Sequence, residues 1–213
     1  MFKNAKPALA AIGLFFTAGF GSPLHAADAG LVRTTRGDIA FELVGQVLNP
    51  PMTPASYQYG YLSLVDGVDS IFTSIPHNET TARFTFFTRA STTQVIDNGS
   101  LRVVNRTGTT TIYLEDMPDG DFGAPHTFSN GAAILTMSLK QQVILDLAEM
   151  TFSTVNINTV TSAKPFSSGG KTVRLGVVGD KSRTVINGRV NDTGTPAGFV
   201  IAGYAVAIAR FAP

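Results

Sequence analysis

The sequence predicts an all-β protein made of a single antiparallel β-barrel, and three observations carry that expectation. Apolar and polar residues alternate with period two along most of the chain, as they do in strands with one buried face. Turn-forming pairs such as Asp66-Gly67, Asn98-Gly99 and Gly179-Asp180 punctuate the alternation. Charged residues make up only 15% of the chain while Thr, Val, Phe, Gly and Ala are abundant, the composition of sheet with tight turns. Roughly eight to ten strands at spacings of roughly 10 to 15 residues suit a closed barrel or, as the alternative, a β-sandwich. The barrel is preferred because closure removes edges that few Lys or Pro residues defend here.

The elements follow in order. Ile39, Phe41, Leu43 and Val47 share one face of a strand, with Asp38, Glu42 and Gln46 on the other. Asn49-Pro50-Pro51 ends it, since proline has no donor for the ladder. Tyr57, Tyr59 and Tyr61 alternate in the next strand, which continues through Val65 to a turn at Asp66-Gly67. A further apolar run, 68–75, stops at Pro76. The segment 83–89 places Phe84 and Phe86 on one face and Arg83, Thr85, Phe87 and Arg89 on the other. Residues 101–105 and 109–115 read as a hairpin about Thr107-Gly108. The stretch 116–131, rich in Asp, Gly and Pro, reads as a long surface loop.

Residues 135–146 carry two patterns. Leu135, Met137, Leu139, Val143 and Leu145 fit a strand, with Gln141 the inward misfit and Ile144 the outward one. A helix over 138–149 is the competing reading, with Leu139, Val143 and Leu147 at intervals of four and Ser138 and Gln141 placed like a capping box. Strand is preferred because the neighbouring segments are strands. Residues 150–160 continue the pattern, 164–170 reads as a turn, and 172–178 and 183–190 follow as strands around Gly179-Asp180. The last segment, 199–211, is apolar on both faces and is expected to be covered on both sides. Its small residues, Gly203, Ala205, Ala207 and Ala209, would admit a neighbouring layer or a ligand.

The N-terminus has the pattern of an export signal. Lys3 and Lys6 precede an apolar stretch over 7–21, and Leu24-His25-Ala26 offers a small residue for cleavage. Gly13, Gly19 and Gly21 interrupt that stretch, which is shorter than the roughly 18 to 20 residues of a spanning helix. The expectation is a signal peptide over 1–26 and one all-β domain over 27–213, secreted or periplasmic, with no membrane span in the mature chain. An outer-membrane barrel fits less well, because the chain ends Phe211-Ala212-Pro213 without a terminal aromatic anchor. Loss of Lys3 and Lys6 leaves 14 basic residues against 15 acidic ones. Such a scattered, near-neutral set does not build the basic face that nucleic-acid binding requires. The absence of Cys removes disulfides and thiolate zinc sites.

Catalytic signatures are sparse. No Ser lies in G-x-S-x-G, no H-E-x-x-H occurs, and the histidines beyond the leader are His77 and His126. Gly170-Lys171-Thr172 imitates the end of a phosphate loop, but Pro165 stands where its first glycine belongs, so it reads as a hairpin turn. Acid-base candidates are His126 and His77, imidazoles that titrate near neutral pH, together with Glu115 and Tyr59. Asp116, Asp119 and Asp121 cluster the oxygen ligands of a hard cation, but without the distal Glu of a calcium loop they read as a solvated loop with no metal. The ligand-binding candidates are Tyr57, Tyr59, Tyr61, Arg83 and Arg89. The tyrosines line a cavity or form a surface stripe according to register. The arginines point inward only if Phe84 and Phe86 face outward, and would then need a carboxylate such as Glu42 or Glu115, or an anionic ligand. The opposite, solvent-facing register is preferred. Sequons at Asn78, Asn98, Asn105 and Asn191 do not identify a host.

In general shape, a Cys-free exported antiparallel barrel resembles lipocalin-like binders and allene-oxide-cyclase-like barrels, a likeness of architecture from which no residue carries over. The expected function is binding of a small, largely apolar molecule in the interior or mouth, with no cofactor and no nucleic-acid partner. The alternatives are a lyase, isomerase or cyclase using non-covalent acid-base chemistry in the same barrel, and a structural or adhesive surface module with a solid core.

Overall fold

Both the alternation and the turn pairs are realised in three dimensions. The structure, a computed structural model, describes residues 30–32, 34–190 and 199–208. The expected leader over 1–26, the sequon at Asn191 and the residues after Ile208 lie outside the described residues. The strands are β1 (Gly30–Val32), β2 (Ile39–Leu48), β3 (Ala55–Val65), β4 (Phe84–Asn98), β5 (Leu101–Leu114), β6 (Ala132–Asp146), β7 (Thr151–Ala163), β8 (Phe166–Ser168), β9 (Lys171–Leu175), β10 (Lys181–Val190) and β11 (Phe199–Ile208). No α-helix occurs among the described residues; a 3-10 turn spans Pro125–Ser129.

Eight strands close in the order β10-β11-β2-β3-β4-β5-β6-β7, every neighbouring pair antiparallel. The pairing of β7 with β10, with Asn156 opposite Thr184, shuts the sheet and removes its edges. At this strand number the interior is just wide enough for side chains to fill it. The interior is largely apolar: Leu62, Phe84, Ile112, Met137 and Ile201 are among the most deeply buried side chains. Each such side chain contributes roughly 1.5–3 kcal/mol through removal from water.

The two ends of the barrel differ. At one end the strands are joined in pairs, β2 to β3, β4 to β5, β6 to β7 and β10 to β11. We refer to this as the hairpin end. The loops 66–83 and 115–131 and the excursion 164–180 gather at the other, long-loop end. The excursion carries a small side sheet in which β1 runs parallel to β9 and β8 antiparallel to it. This sheet docks on the barrel by placing Phe166 edge-on against Phe84, ring centroids 5.7 Å apart.

Residues 135–146 form a strand, with Gln141 pointing in and Ile144 out, because the side-chain period set by the flanking apolar residues fixes the register. Several local expectations are corrected. Residues 101–115 are not a hairpin about Thr107-Gly108: β5 runs unbroken, and the hairpin lies at Asn98-Gly99, where Gly99 takes φ +63°. Gly108 instead marks a close approach, since a Cβ there would sit 2.1 Å from the Arg89 carbonyl oxygen of β4. The run 68–75 contributes only a bridge between Phe72 and Ala82. β9 does not pair with β10 but belongs to the side sheet. Ile39 is exposed rather than inward, because the register of β2 against β11 shifts beyond Phe41. The last strand is covered on one face only: Ile201 and Ala205 are buried, whereas Val200 and Tyr204 are 45% and 40% exposed.

Replacing Gly108 by Val is predicted to destabilise the fold by at least about 2 kcal/mol, because the branched side chain must push β4 and β5 apart. Urea denaturation of the two proteins checks this, and an unchanged midpoint contradicts it.

Candidate functional site

The inward faces that build the core do not fill it evenly. Near the long-loop end, small or retracted residues such as Ala40, Ser182 and Ala207 leave a hollow of about 390 Å³. Phe41, Val65, Leu135, Met137, Val160 and Leu175 supply its apolar wall, and Arg36, Asp66, Asp180 and Lys181 add charge. The hydroxyl of Ser182 in this wall is buried and has no hydrogen-bond partner among the described residues. Near the hairpin end lies a second hollow of about 220 Å³, with Val47, Val143, Leu145, Phe152, Ile186 and Ile201 among its apolar lining and Asn49, Gln58, Arg106 and Gln141 among its polar lining. Between them remains a gap of only about 20 Å³, which shares Phe41 and Met137 with the first hollow and Gln58 and Ile186 with the second.

A polar plug contributes to that narrowing, together with Phe41, Leu43, Leu62, Phe86, Ile112 and Met137. Gln58 Nε2 of β3 donates across the interior to Gln141 Oε1 of β6 at 3.0 Å, and Gln141 Nε2 donates to Asn156 Oδ1 of β7 at 3.0 Å. Asn158 Nδ2 donates to Thr184 Oγ1 at 2.9 Å, and the hydroxyls of Thr88 and Thr110 pair at 2.8 Å. Three Arg106 nitrogens join the network from β5: Nη1 donates to Gln141 Oε1 at 3.2 Å, Nη2 to Asn49 Oδ1 at 3.3 Å, and Nε to Thr92 Oγ1 at 3.3 Å. Gln141 is only 5% exposed, so amides left unpaired here would each forfeit roughly 1–3 kcal/mol.

The tyrosine stripe lies on neither of the surfaces expected of it. Tyr57, Tyr59 and Tyr61 point out of the barrel, but the loop 115–131 folds back over them. Tyr59 is 1% and Phe128 of the 3-10 turn 0% exposed, with ring centroids 5.5 Å apart; Phe87 and Phe122 complete the cluster at 6.0 and 6.3 Å from Tyr59. Around Tyr59 and Phe87 the β3-β4 wall is thus buried on both faces, whereas residues 91–98 of β4 are mostly exposed. Burial pushes the Tyr59 phenol above its usual value; burial and then Glu79 do the same for Tyr61, away from proton transfer near neutral pH.

Glu115 anchors the loop. Its Oε1 accepts the Gly131 N–H at 2.8 Å and the Thr85 hydroxyl at 3.1 Å, joining both loop ends to β4. Gly131 is required for this approach, since a Cβ there would sit 2.6 Å from the same oxygen. Burial pushes the Glu115 carboxyl above the usual carboxylate range; Asp119 and Asp116 push the same way, against the two hydrogen bonds.

The other candidates are dispersed. His126 is exposed in the 3-10 turn, and His77 is an exposed ring stacked on Phe72 at 4.5 Å. Asp119 accepts from the Asn130 amide at 2.9 Å and Asp121 from the Gly123 N–H at 2.7 Å, so both stabilise their own loop, while Asp116 is exposed. Among the described residues no three His, Cys, Asp or Glu side chains gather into a metal site. Phe84 and Phe86 face inward, which leaves Arg89 exposed with its guanidinium 4.4 Å from the Phe87 ring centroid and Arg83 half-buried just before the same strand. None of these sequence candidates lines either hollow. Arg106 does, and it went unrecognised because the expected hairpin placed it at a turn. For Gln141 the signal was present, a lone polar residue on an otherwise apolar face.

The chain is an eight-stranded antiparallel β-barrel with a buried aromatic cluster on its outer wall. Compared with protein families, curated proteins and solved structures, it matches none.

The Glu115 environment sets a pH dependence. With its native pKa raised, the folded chain keeps a proton that the unfolded chain has already lost, so stability falls as pH rises from the usual carboxylate range through the raised native value. Glu115→Gln retains the acceptor oxygen and is predicted to abolish this fall. The difference in melting temperature between the two proteins, followed across that window, should change in favour of the variant as pH rises; a constant difference contradicts it.

Proposed function

We propose that the chain is an exported barrel that binds a small, largely apolar molecule in the hollow at its long-loop end. The observation that carries this reading is the hollow itself, about 390 Å³, within the roughly 300–1,000 Å³ of small-molecule sites. Its Phe, Val, Leu and Met walls suit an apolar body, and the unpartnered Ser182 hydroxyl offers one directional contact to a polar atom on the ligand. The side sheet supports the same reading, since it brings Leu175 and Gly176 to the mouth and so encloses more of an occupant. Binding is favoured over acid-base catalysis because Tyr59 and Glu115 are engaged under the outer loop and His77 and His126 lie on the surface.

A barrel working in water rather than lipid is supported by its outer face. The outer face mixes exposed Thr107, Thr109, Ser138, Lys140, Gln142 and Ser153 with exposed Ile144, Val155, Val200 and Tyr204, so its apolar residues are interrupted rather than gathered into the continuous band of a membrane barrel. The N-terminal pattern of basic residues, apolar stretch and small residue at position 26 supports export.

The neutral dye N-phenyl-1-naphthylamine tests this directly. Its fluorescence should rise on binding, and Ala207→Phe, which fills the hollow from β11, should weaken binding by at least about tenfold, equivalent to about 1.4 kcal/mol. Absence of binding, or binding unchanged in the folded variant, overturns the proposal.

A further inference from the structure

The hollow at the hairpin end has a different chemistry. Its distinguishing group is Arg106, half-buried on the inner face of β5 in a lining that is otherwise mostly apolar. Three neutral oxygens hold the guanidinium, from Thr92 on β4, Gln141 on β6 and Asn49 in the loop after β2. They lie at 3.2–3.3 Å, longer than the roughly 2.7–2.9 Å of charge-assisted bonds to carboxylate. No carboxylate among the described residues lies within ion-pair distance of it. Burial pulls its pKa down without an opposing acid, so its charge is desolvated without being neutralised.

The hydrogen-bond order makes this arrangement directional. Gln141 Oε1 already accepts from Gln58 while Gln141 Nε2 donates to Asn156, so the plug presents its oxygen to Arg106 and fixes the guanidinium plane. Three of the five N–H groups are used, leaving two for another acceptor. Arg102, the other cation of the lining, is paired with Asp97 at 2.5 Å. One charge therefore remains to be met, which matches a monoanion better than a phosphate dianion.

The geometry points to a second ligand site in this hollow, taking a small amphipathic monocarboxylate whose carboxylate meets Arg106 and whose apolar body lies against Val143, Leu145, Phe152 and Ile201. A volume of about 220 Å³ is below the range that takes drug-sized molecules, so the body is a short chain or a single ring. The plug separates this site from the long-loop hollow, and its existence does not depend on the function proposed there.

Calorimetry with octanoate, and with octanol as the uncharged control of equal chain length, tests the inference on the purified protein. Octanoate should bind at least about tenfold more tightly than octanol, and Arg106→Gln should remove that preference. Arg106→Lys should restore only part of it, because a point charge replaces a planar fork. Ile201→Phe, which fills the hollow with Arg106 intact, should abolish octanoate binding. Binding of N-phenyl-1-naphthylamine should survive Arg106→Gln, which keeps failure of this site distinguishable from failure of the other. Equal affinity for octanoate and octanol, an unchanged preference in folded Arg106→Gln, or loss of octanoate on Ala207→Phe rather than Ile201→Phe overturns the inference.

Discussion

The hydrogen bonds that carry Gln58, Gln141 and Asn156 across the middle of the barrel are the constraint on which its interior depends. An eight-stranded barrel is just wide enough for its side chains to fill the interior or to leave room for one small ligand. Here three amides and their Thr and Asn neighbours occupy the waist, and their placement must bring donors to acceptors, as it does at every buried side-chain polar atom there except Asn158 Oδ1, which has no partner among the described residues. That requirement fixes register as strictly as apolar burial does: a one-residue slip of β6 would turn Gln141 to solvent and leave Gln58 and Asn156 unpaired. The same residues divide the interior into two hollows of unlike chemistry, and the network's polarity orients Arg106 toward one of them.

The outer wall depends on a separate device. Around Tyr59 on β3 and Phe87 on β4 both faces are buried, one in the barrel and one under the loop 115–131, so these two side chains stabilise an outer layer without entering the interior. Glu115 and Gly131 close that layer at its base. The long loop is therefore a packed part of the structure, in which Asp119 and Asp121 accept hydrogen bonds from their own loop and Asp116 and His126 are exposed.

The architecture was legible in the sequence because strand period, turn pairs and low charge all pointed to the same sheet. Residues 135–146 show how far this extends: the alternation identified the strand and also marked Gln141 and Ile144 as its exceptions, which the structure places inside and outside. Two kinds of information were out of reach. Gly108 looks like a turn residue locally, and only the closeness of β4 shows that it is a contact residue; with the false hairpin, Arg106 was lost from the interior. The tyrosine stripe posed a choice between cavity and surface, whereas a loop more than 50 residues along the chain covers it, and pairing over that distance leaves no local pattern.

The central claim, that buried side-chain amides hold the waist of the barrel, is tested most directly by hydrogen exchange of those amides, observed by NMR. Gln141 and Gln142 are chain neighbours, one buried in the plug and one exposed on the outer face, so they form an internal comparison. The account predicts that the Gln141 side-chain protons exchange at least about a hundredfold more slowly than those of Gln142. Equal exchange of the two would contradict it.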